Sequence, residues 1–411
     1  MWSTLFDRMM AQLIRKGRLT IEDLPGLGTR SYGPGGDGAP AVTVRLRDPA
    51  LPRKILLGPE LALGEAYMDG RLEIADDDLH GLLELLLRNR ASGARHWAVS
   101  LNLGLARLRR GMAQYNPAPR ARANVAHHYD LSGELYDLFL DADRQYSCAY
   151  FRDPGMTLDE AQEAKKRHIA GKLLIEPGMR VLDIGCGWGG LALTLARDYG
   201  ARVTGVTLSK EQHAVAVRRA EREGLAHRVE FRLQDYRKVR ESFDRIVSVG
   251  MFEHVGVPHY RAFFDTVKAR LAPDGVALIH TIGRVTPPGV TSPWIEKYIF
   301  PGGYVPAMSE MMAAVEHTGL WSADMEVWRL HYAKTLRHWH DRFMANRDKA
   351  VALYDERFVR MWRYYLVACE QSFRFHRQVV FQLQLAHRPD AVPIIRDYLY
   401  PAPEPARIAA E

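Results

Sequence analysis

Apolar side chains recur at helical and then at strand spacing along the first part of the chain. Phe6, Met9, Met10 and Leu13 fall three and four apart, which predicts an N-terminal helix. Val42, Val44 and Leu46 alternate with polar residues and predict a half-buried strand, and the glycine-rich stretch 33–38 before it reads as a loop. Residues 64–70 read as a helix end followed by a turn. From Leu79 to Met112 the spacing is helical again, with Trp97, Leu101, Leu105, Leu108 and Met112 accompanied by Arg88, Arg90, Arg95, Arg107, Arg109 and Arg110. A basic amphipathic helix can lie on an anionic bilayer. Taken alone, these helices fit better as packing on their own domain with the arginines in water.

From Gly178 the pattern changes to short apolar runs alternating with amphipathic helices, as in a parallel α/β sheet. The predicted strands are Val181–Ile184, Val203–Val206, Val229–Leu233, Arg245–Val249 and Val276–His280, with helices from Leu191 to about Tyr199, over Glu211–Gly224 and over Tyr260–Leu271. Asp183 sits inside the first strand, and Gly185, Gly187 and Gly189 follow it at once. This resembles the loop of S-adenosylmethionine (SAM) methyltransferases and lacks the dinucleotide spacing G-x-G-x-x-G. Glycines allow the tight turn, and the helix N-terminus offers free N–H groups to an anionic ligand part. Ligands of such sheets sit beyond the carboxyl ends of the strands, which gathers Asp235, Glu253 and His280 around one crevice. Residues 285–306, rich in Pro, Gly and aromatics, read as a lid or substrate-facing insertion. A strand over Asp324–Leu330, then Tyr332, a helix from Thr335, a long helix through Met361–His376 and a last strand over Val379–Leu385 complete the pattern.

The expected fold is therefore α/β: a seven-stranded Rossmann-like methyltransferase domain with a smaller N-terminal α+β or helical domain. Asn116-Pro117-Ala118-Pro119 marks the boundary between residues 1–115 and 116–400, with an insertion over 284–323 and a frayed tail over 401–411. With 411 residues and 47% apolar side chains the chain can build sizeable cores. The net charge of +7 suits an anionic membrane surface, a nucleic acid or an acidic ligand, and selects none of them. Cys148, Cys186 and Cys369 share no metal spacing and read as reduced thiols of a cytoplasmic protein. No apolar run reaches the ~18 residues of a membrane span. Adjacent His127 and His128 suggest a metal, but side chains one residue apart on a helix diverge, so capping and packing are the better reading.

Six ordered blocks carry a more specific resemblance: Tyr146-Ser147-Cys148-Ala149-Tyr150-Phe151, the loop 182–189, Thr207-Leu208-Ser209-Lys210-Glu211-Gln212, Phe252-Glu253-His254-Val255-Gly256, His280-Thr281-Ile282-Gly283 and His331-Tyr332-Ala333-Lys334-Thr335-Leu336. Together they resemble the cyclopropane-fatty-acyl-phospholipid synthases, from about Asn124 to Val380. The additional N-terminal region is similar to the phospholipid-acting bacterial branch. The resemblance implies transfer of the SAM methyl carbon to a cis alkene of an acyl chain, a carbocation, and ring closure on loss of a proton. It implies bicarbonate as the base, held by Cys148, Glu253, His280, the Ile282 main chain and Tyr332. It implies SAM contacts from Tyr146, Ser147, Gly185, Gly187, Thr207, Leu208, Gln212, Asp235 and Tyr236. Asp235 would accept from the adenine amino group, Tyr236 would pack on the ring, and Gln212 or water would serve the ribose. The implied partner is a bilayer of unsaturated phospholipid, met at the inner membrane surface, with no nucleic acid; homodimerisation is left open.

The chemistry sets physical demands. An alkene is a weak nucleophile, so the sulfonium must be held close and in line. Water must be excluded from the cation, and a base must stand near the new methyl. Alternatives are a relative that ends with a methylene or methyl branch, a nucleic-acid methyltransferase, and a catalytically silent lipid-binding protein. The nucleic-acid reading expects an Asn/Asp-Pro-Pro-Tyr type site, which Thr286-Pro287-Pro288-Gly289 is not. Without the resemblance, Cys148 would be a small buried hydrophobe, Glu253 a helix cap and Tyr332 a core aromatic. Cys186 and Cys369 are read as structural.

Overall fold

The computed structural model describes residues 1–36, 38–91 and 133–400. The helix Trp2–Leu13 buries Phe6, Met9 and Met10, the apolar face its spacing predicts. It packs beside a four-stranded sheet made of β1 (Arg18–Leu24), β2 (Gly28–Tyr32), β3 (Ala41–Leu46) and β4 (Leu72–Ile74), in the order β2-β1-β3-β4. β1 runs parallel to β3, and the other pairs are antiparallel. The helix Pro59–Met68 ends where the sequence places a turn, at Gly70 with φ +70°. Of the helix predicted over 79–112, the structure describes Leu79–Ala91. Its remainder, the boundary at Asn116–Pro119, His127, His128 and the tail 401–411 lie outside the described residues.

The second sheet has seven strands: β5 (Arg180–Ile184), β6 (Arg202–Thr207), β7 (Val229–Leu233), β8 (Phe243–Val249), β9 (Leu271–Arg284), β10 (Trp321–Trp328) and β11 (Gln378–Ala386), in the order β10-β11-β9-β8-β5-β6-β7. β5 to β9 are mutually parallel, and β11 runs antiparallel between β9 and β10. Side chains of the central strands alternate between two cores. Leu182, Ile246, Ala277 and Ile279 enter one, while Val181, Val247 and Leu278 enter the other. The chain leaves β5 toward β6 and β7, then returns to β8 on the other side of β5. Strand order therefore reverses between β5 and β8, and the crevice at their carboxyl ends is where ligands of such sheets bind.

Three expectations shift. β9 continues past His280 to Arg284, because β11 pairs with it along its length, from Gln378 opposite Arg284 to Ala386 opposite Val276. Tyr332 lies in the first turn of the helix His331–Ala345, which begins earlier than Thr335. The insertion expected over 284–323 divides. Its helix Met308–Thr318 buries Met311, Ala314 and Val315 in a core of the large sheet, and β10 begins at Trp321. Only 285–306 stands apart as a strap. It carries the helix Pro293–Tyr298 and is fastened to the N-terminal region: the indole of Trp294 donates to Met68 Sδ at 3.3 Å, and Lys297 Nζ and the Tyr298 hydroxyl donate to Glu65 at 2.7 and 2.8 Å.

Candidate functional site

β5 ends in the glycine turn, and the helix Gly190–Tyr199 starts directly behind it. Gly187 holds φ +54° with open space where a Cβ would point, so the turn presents bare backbone to the crevice. All the proposed SAM residues, Tyr146, Ser147, Gly185, Gly187, Thr207, Leu208, Gln212, Asp235 and Tyr236, line one pocket at this edge. Ser209 caps the helix Lys210–Arg222 by accepting from Gln212 N at 3.2 Å. The Thr207 hydroxyl donates to Gln212 Oε1 at 3.1 Å, which fixes the amide at the pocket wall. Tyr146 stacks on Trp339 at 5.1 Å and shares a 2.8 Å hydroxyl hydrogen bond with Tyr365.

Asp235 is held in a fork by Arg237, whose Nε reaches Oδ1 at 2.9 Å and whose Nη2 reaches Oδ2 at 2.6 Å. Oδ1 also accepts from the Arg237 main-chain N–H at 3.0 Å, so a ligand donor would approach Oδ2, whose second lone pair can accept. Burial lifts the Tyr236 phenol to about 12, so it stays protonated. Asp183 is buried with Oδ2 unpartnered, and burial pushes its carboxyl up to about 7.

None of the five residues proposed around the base lines this pocket, although Ser147 and His254, the chain neighbours of Cys148 and Glu253, do. Glu253 follows β8 in the turn Phe252–His254. Ile282 N donates to its Oε1 at 2.6 Å, while Oε2 is buried without a partner. Burial pushes the Glu253 carboxyl up to about 7, and the Ile282 amide opposes that rise. His280 lies opposite Gln382 in the β9–β11 ladder, and Gln382 Nε2 sits 3.0 Å from its Nδ1. Burial holds the imidazole far below its ordinary range and therefore neutral. With Gln382 donating to Nδ1, the His280 proton resides on Nε2.

The helix His331–Ala345 docks on the segment after Ser147. Ala149 N donates to Thr335 Oγ1 at 3.0 Å, and Phe151 N donates to His331 Nδ1 at 3.1 Å. Tyr332 lies edge-on to Trp339 at 5.8 Å and 4.9 Å from Phe373. Trp328 links the parts, with its ring 5.2 Å from His280 and 4.8 Å from Tyr150. Cys148 is fully buried, its thiol donates to Ala149 O at 3.3 Å, and burial raises its pKa. It is thus a thiol and not a nucleophilic thiolate. Of the five, Glu253 and Ile282 meet directly, and His280 precedes Ile282 by two residues on β9; Cys148 and Tyr332 lie at the helix His331–Ala345, Tyr332 in its first turn and Cys148 next to the Ala149 that Thr335 holds.

Sequence reasoning passed over Arg237, Gln382, His254 and Lys165. His254 and Lys165 line the same pocket. A capping box at Thr157 and Glu160 announces the helix that carries Lys165 and could have led to it. Gln382 pairs with a residue 102 positions away, for which the sequence offers no local sign.

The chain is similar to known proteins. Residues 117–383 match the family described as mycolic acid cyclopropane synthetase, and residues 28–96 match a domain of unknown function. The chain is 41% identical over 345 residues to the cyclopropane-fatty-acyl-phospholipid synthase of Escherichia coli K12, covering 82% of this chain and 86% of that protein. It is 36% identical over 370 residues to the tuberculostearic acid methyltransferase UfaA1 of Mycobacterium tuberculosis, covering 84% and 83%. Among solved structures, the mycolic acid cyclopropane synthase CmaA1 in complex with SAH and CTAB aligns with a TM-score of 0.62 at 36% identity, over 66% of this chain and 98% of that one. The chain belongs to the mycolic acid cyclopropane synthetase family and is a SAM-dependent methyltransferase.

Proposed function

We propose that this enzyme transfers the SAM methyl carbon to the cis double bond of an unsaturated phospholipid acyl chain and closes a cyclopropane ring, with bound bicarbonate as the base. The observation that carries the proposal is Glu253: a carboxyl buried beside the methyl-donor pocket, anchored through one oxygen and bare at the other. The phospholipid assignment draws on the E. coli relative, whose likeness covers 82% of the chain and so reaches beyond residues 117–383.

Gly185 and Gly187 let the donor come close to the backbone, Asp235 and Tyr236 receive its adenine, and Gln212 faces its ribose. The donor supplies a sulfonium-borne methyl, which must be held close to the alkene and away from water that would trap the cation. Bicarbonate, when bound, supplies the acceptor for the proton that leaves the added methyl. The residues fit such an anion. Glu253, with its pKa near 7, can keep a proton on Oε2 and donate it in a hydrogen bond. His280, neutral with Nδ1 engaged, can donate through Nε2. The Tyr332 hydroxyl can donate as well. Ile282 serves Glu253 first, since its amide donates to Oε1 and its carbonyl accepts from the Thr281 hydroxyl at 3.1 Å.

Membrane contact is peripheral in this reading, at the inner surface. A second outcome, a methylene or methyl branch, is favoured by the 36% identity to a tuberculostearic acid methyltransferase. One experiment separates them. The protein is incubated with SAM and unsaturated phospholipid vesicles, and the recovered fatty acids are analysed. Ring and methylene products add one carbon and two hydrogens, and NMR tells them apart; a saturated branch adds two hydrogens more. Unchanged acyl chains would overturn the assignment.

A further inference from the structure

The helix Leu158–Leu173 places Gln162 and Lys165, three residues apart, on one face toward the pocket. Gln162 Nε2 donates to the carbonyls of Gln145 and Ser147 at 3.1 and 3.0 Å, which already staples that segment to the helix. Lys165, completely buried, donates from Nζ to Gln145 Oε1 at 2.7 Å and to Ser147 Oγ at 2.9 Å. Both acceptors are uncharged. The neighbouring Lys166 instead spends its charge on Asp143 at 2.8 Å. Burying an ammonium costs several kcal/mol unless something repays it, and a neutral side chain could have made the same two hydrogen bonds. Asp141 attracts the ammonium, but its carboxyl accepts from the Gln145 and Asp143 amides at 2.9 and 3.1 Å. An ammonium has three N–H groups, and Lys165 lines the pocket beside Asp183, Gly185 and Gly187.

We propose that Lys165 is a cofactor-binding residue whose third N–H and positive charge take the carboxylate of the methionine part of the methyl donor. The proposal rests on the assignment of this pocket to the donor. It also fixes the donor's direction. The carboxylate lies over the glycine turn and Lys165, the adenine lies at Asp235 and Tyr236, and the cationic sulfur is kept away from the ammonium. Burial, only partly offset by the charge of Asp141, brings Lys165 down to about 8; a bound carboxylate holds it charged.

The test is calorimetric titration of the full-length protein with S-adenosylhomocysteine and with its carboxamide, in which the carboxylate charge is removed and the α-amino group kept. A charge-assisted hydrogen bond of roughly 2 kcal/mol, at 1.4 kcal/mol per decade, predicts that the wild type prefers the carboxylate by about 30-fold. In Lys165→Met the carboxylate ligand weakens until the two differ by no more than about threefold. Equal weakening of both ligands in the variant would assign Lys165 a structural role and overturn the proposal. Lys165→Gln replaces the Met variant if that one fails to fold. The wild-type arm stands without either, since equal affinity for the two ligands also overturns it. Binding of neither ligand by the wild type would sink the pocket assignment and the proposal with it.

Discussion

At the scale of single residues, the site depends on groups kept uncharged by burial. Glu253 holds its proton to about pH 7 in the folded chain, whereas a glutamate in the unfolded chain releases it near 4.5. Its folded pKa is raised, so its contribution to stability is full below pH 4.5 and is lost as pH climbs to 7. Glutamine at this position does not titrate. The stability of Glu253→Gln relative to wild type therefore rises by on the order of 3 kcal/mol between those pH values. Urea unfolding at stepped pH measures it, and a flat difference would contradict the burial argument. Asp183 titrates alike in both proteins and cancels. The same variant should lose at least about 100-fold in turnover while S-adenosylhomocysteine affinity holds; wild-type turnover would refute the role of Glu253. Tyr332→Phe removes one hydroxyl and should behave likewise, with most activity lost and donor binding kept. These residues were legible only through six short motifs. No periodicity singles out Glu253 or Tyr332, since a buried carboxylate and a core tyrosine look alike in sequence whether they touch a ligand or not. Arg237 and Gln382 stayed hidden because their importance lies in whom they meet.

At the scale of elements, the strap 285–306 joins the N-terminal region to Glu253. Its Tyr304 N donates to the Glu253 carbonyl at 2.9 Å, and its Trp294 lies against Gly64. A Cβ on Gly64 would come 2.4 Å from the Trp294 ring. In an exposed helix, alanine would improve on glycine by up to ~1 kcal/mol, but overpacking costs about 1–3 kcal/mol, so the clash wins. Gly64→Ala should lower the melting temperature and reduce turnover, leaving donor affinity near wild type; unchanged turnover would show that the strap does not position Glu253. The parallel strands were easy to read, because strands buried on both faces are short unbroken apolar runs. β1 and β2 were not read. β2 exposes Thr29, Arg30 and Ser31 and buries only Tyr32, so no alternation marks it. The helix Met308–Thr318 was absorbed into the expected lid because the proline- and glycine-rich stretch before it masked the spacing of Met311, Ala314 and Val315.

At the scale of the whole molecule, the question is how a protein with no described helix long and apolar enough to cross a membrane would reach the acyl chains proposed as its substrate. Its net charge of +7 supplies a long-range attraction that individual contacts do not. Many arginines of the described residues are spent on neighbouring carboxylates, as Arg45 is on Glu22 and Arg47 on Glu73. Such exposed pairs add little stability; the unbalanced remainder acts on the surroundings. Each basic side chain near an anionic leaflet contributes about 1 kcal/mol, and the reach of that field shrinks from about 30 Å at 0.01 M salt to about 8 Å at 0.15 M. Binding to vesicles containing phosphatidylglycerol should therefore weaken steadily as salt rises. Binding to vesicles of phosphatidylcholine alone should be weak and insensitive to salt. Sedimentation of the protein with each vesicle type checks both arms. Binding to the anionic vesicles that ignores salt would mean that apolar insertion, and not charge, brings the protein to the bilayer.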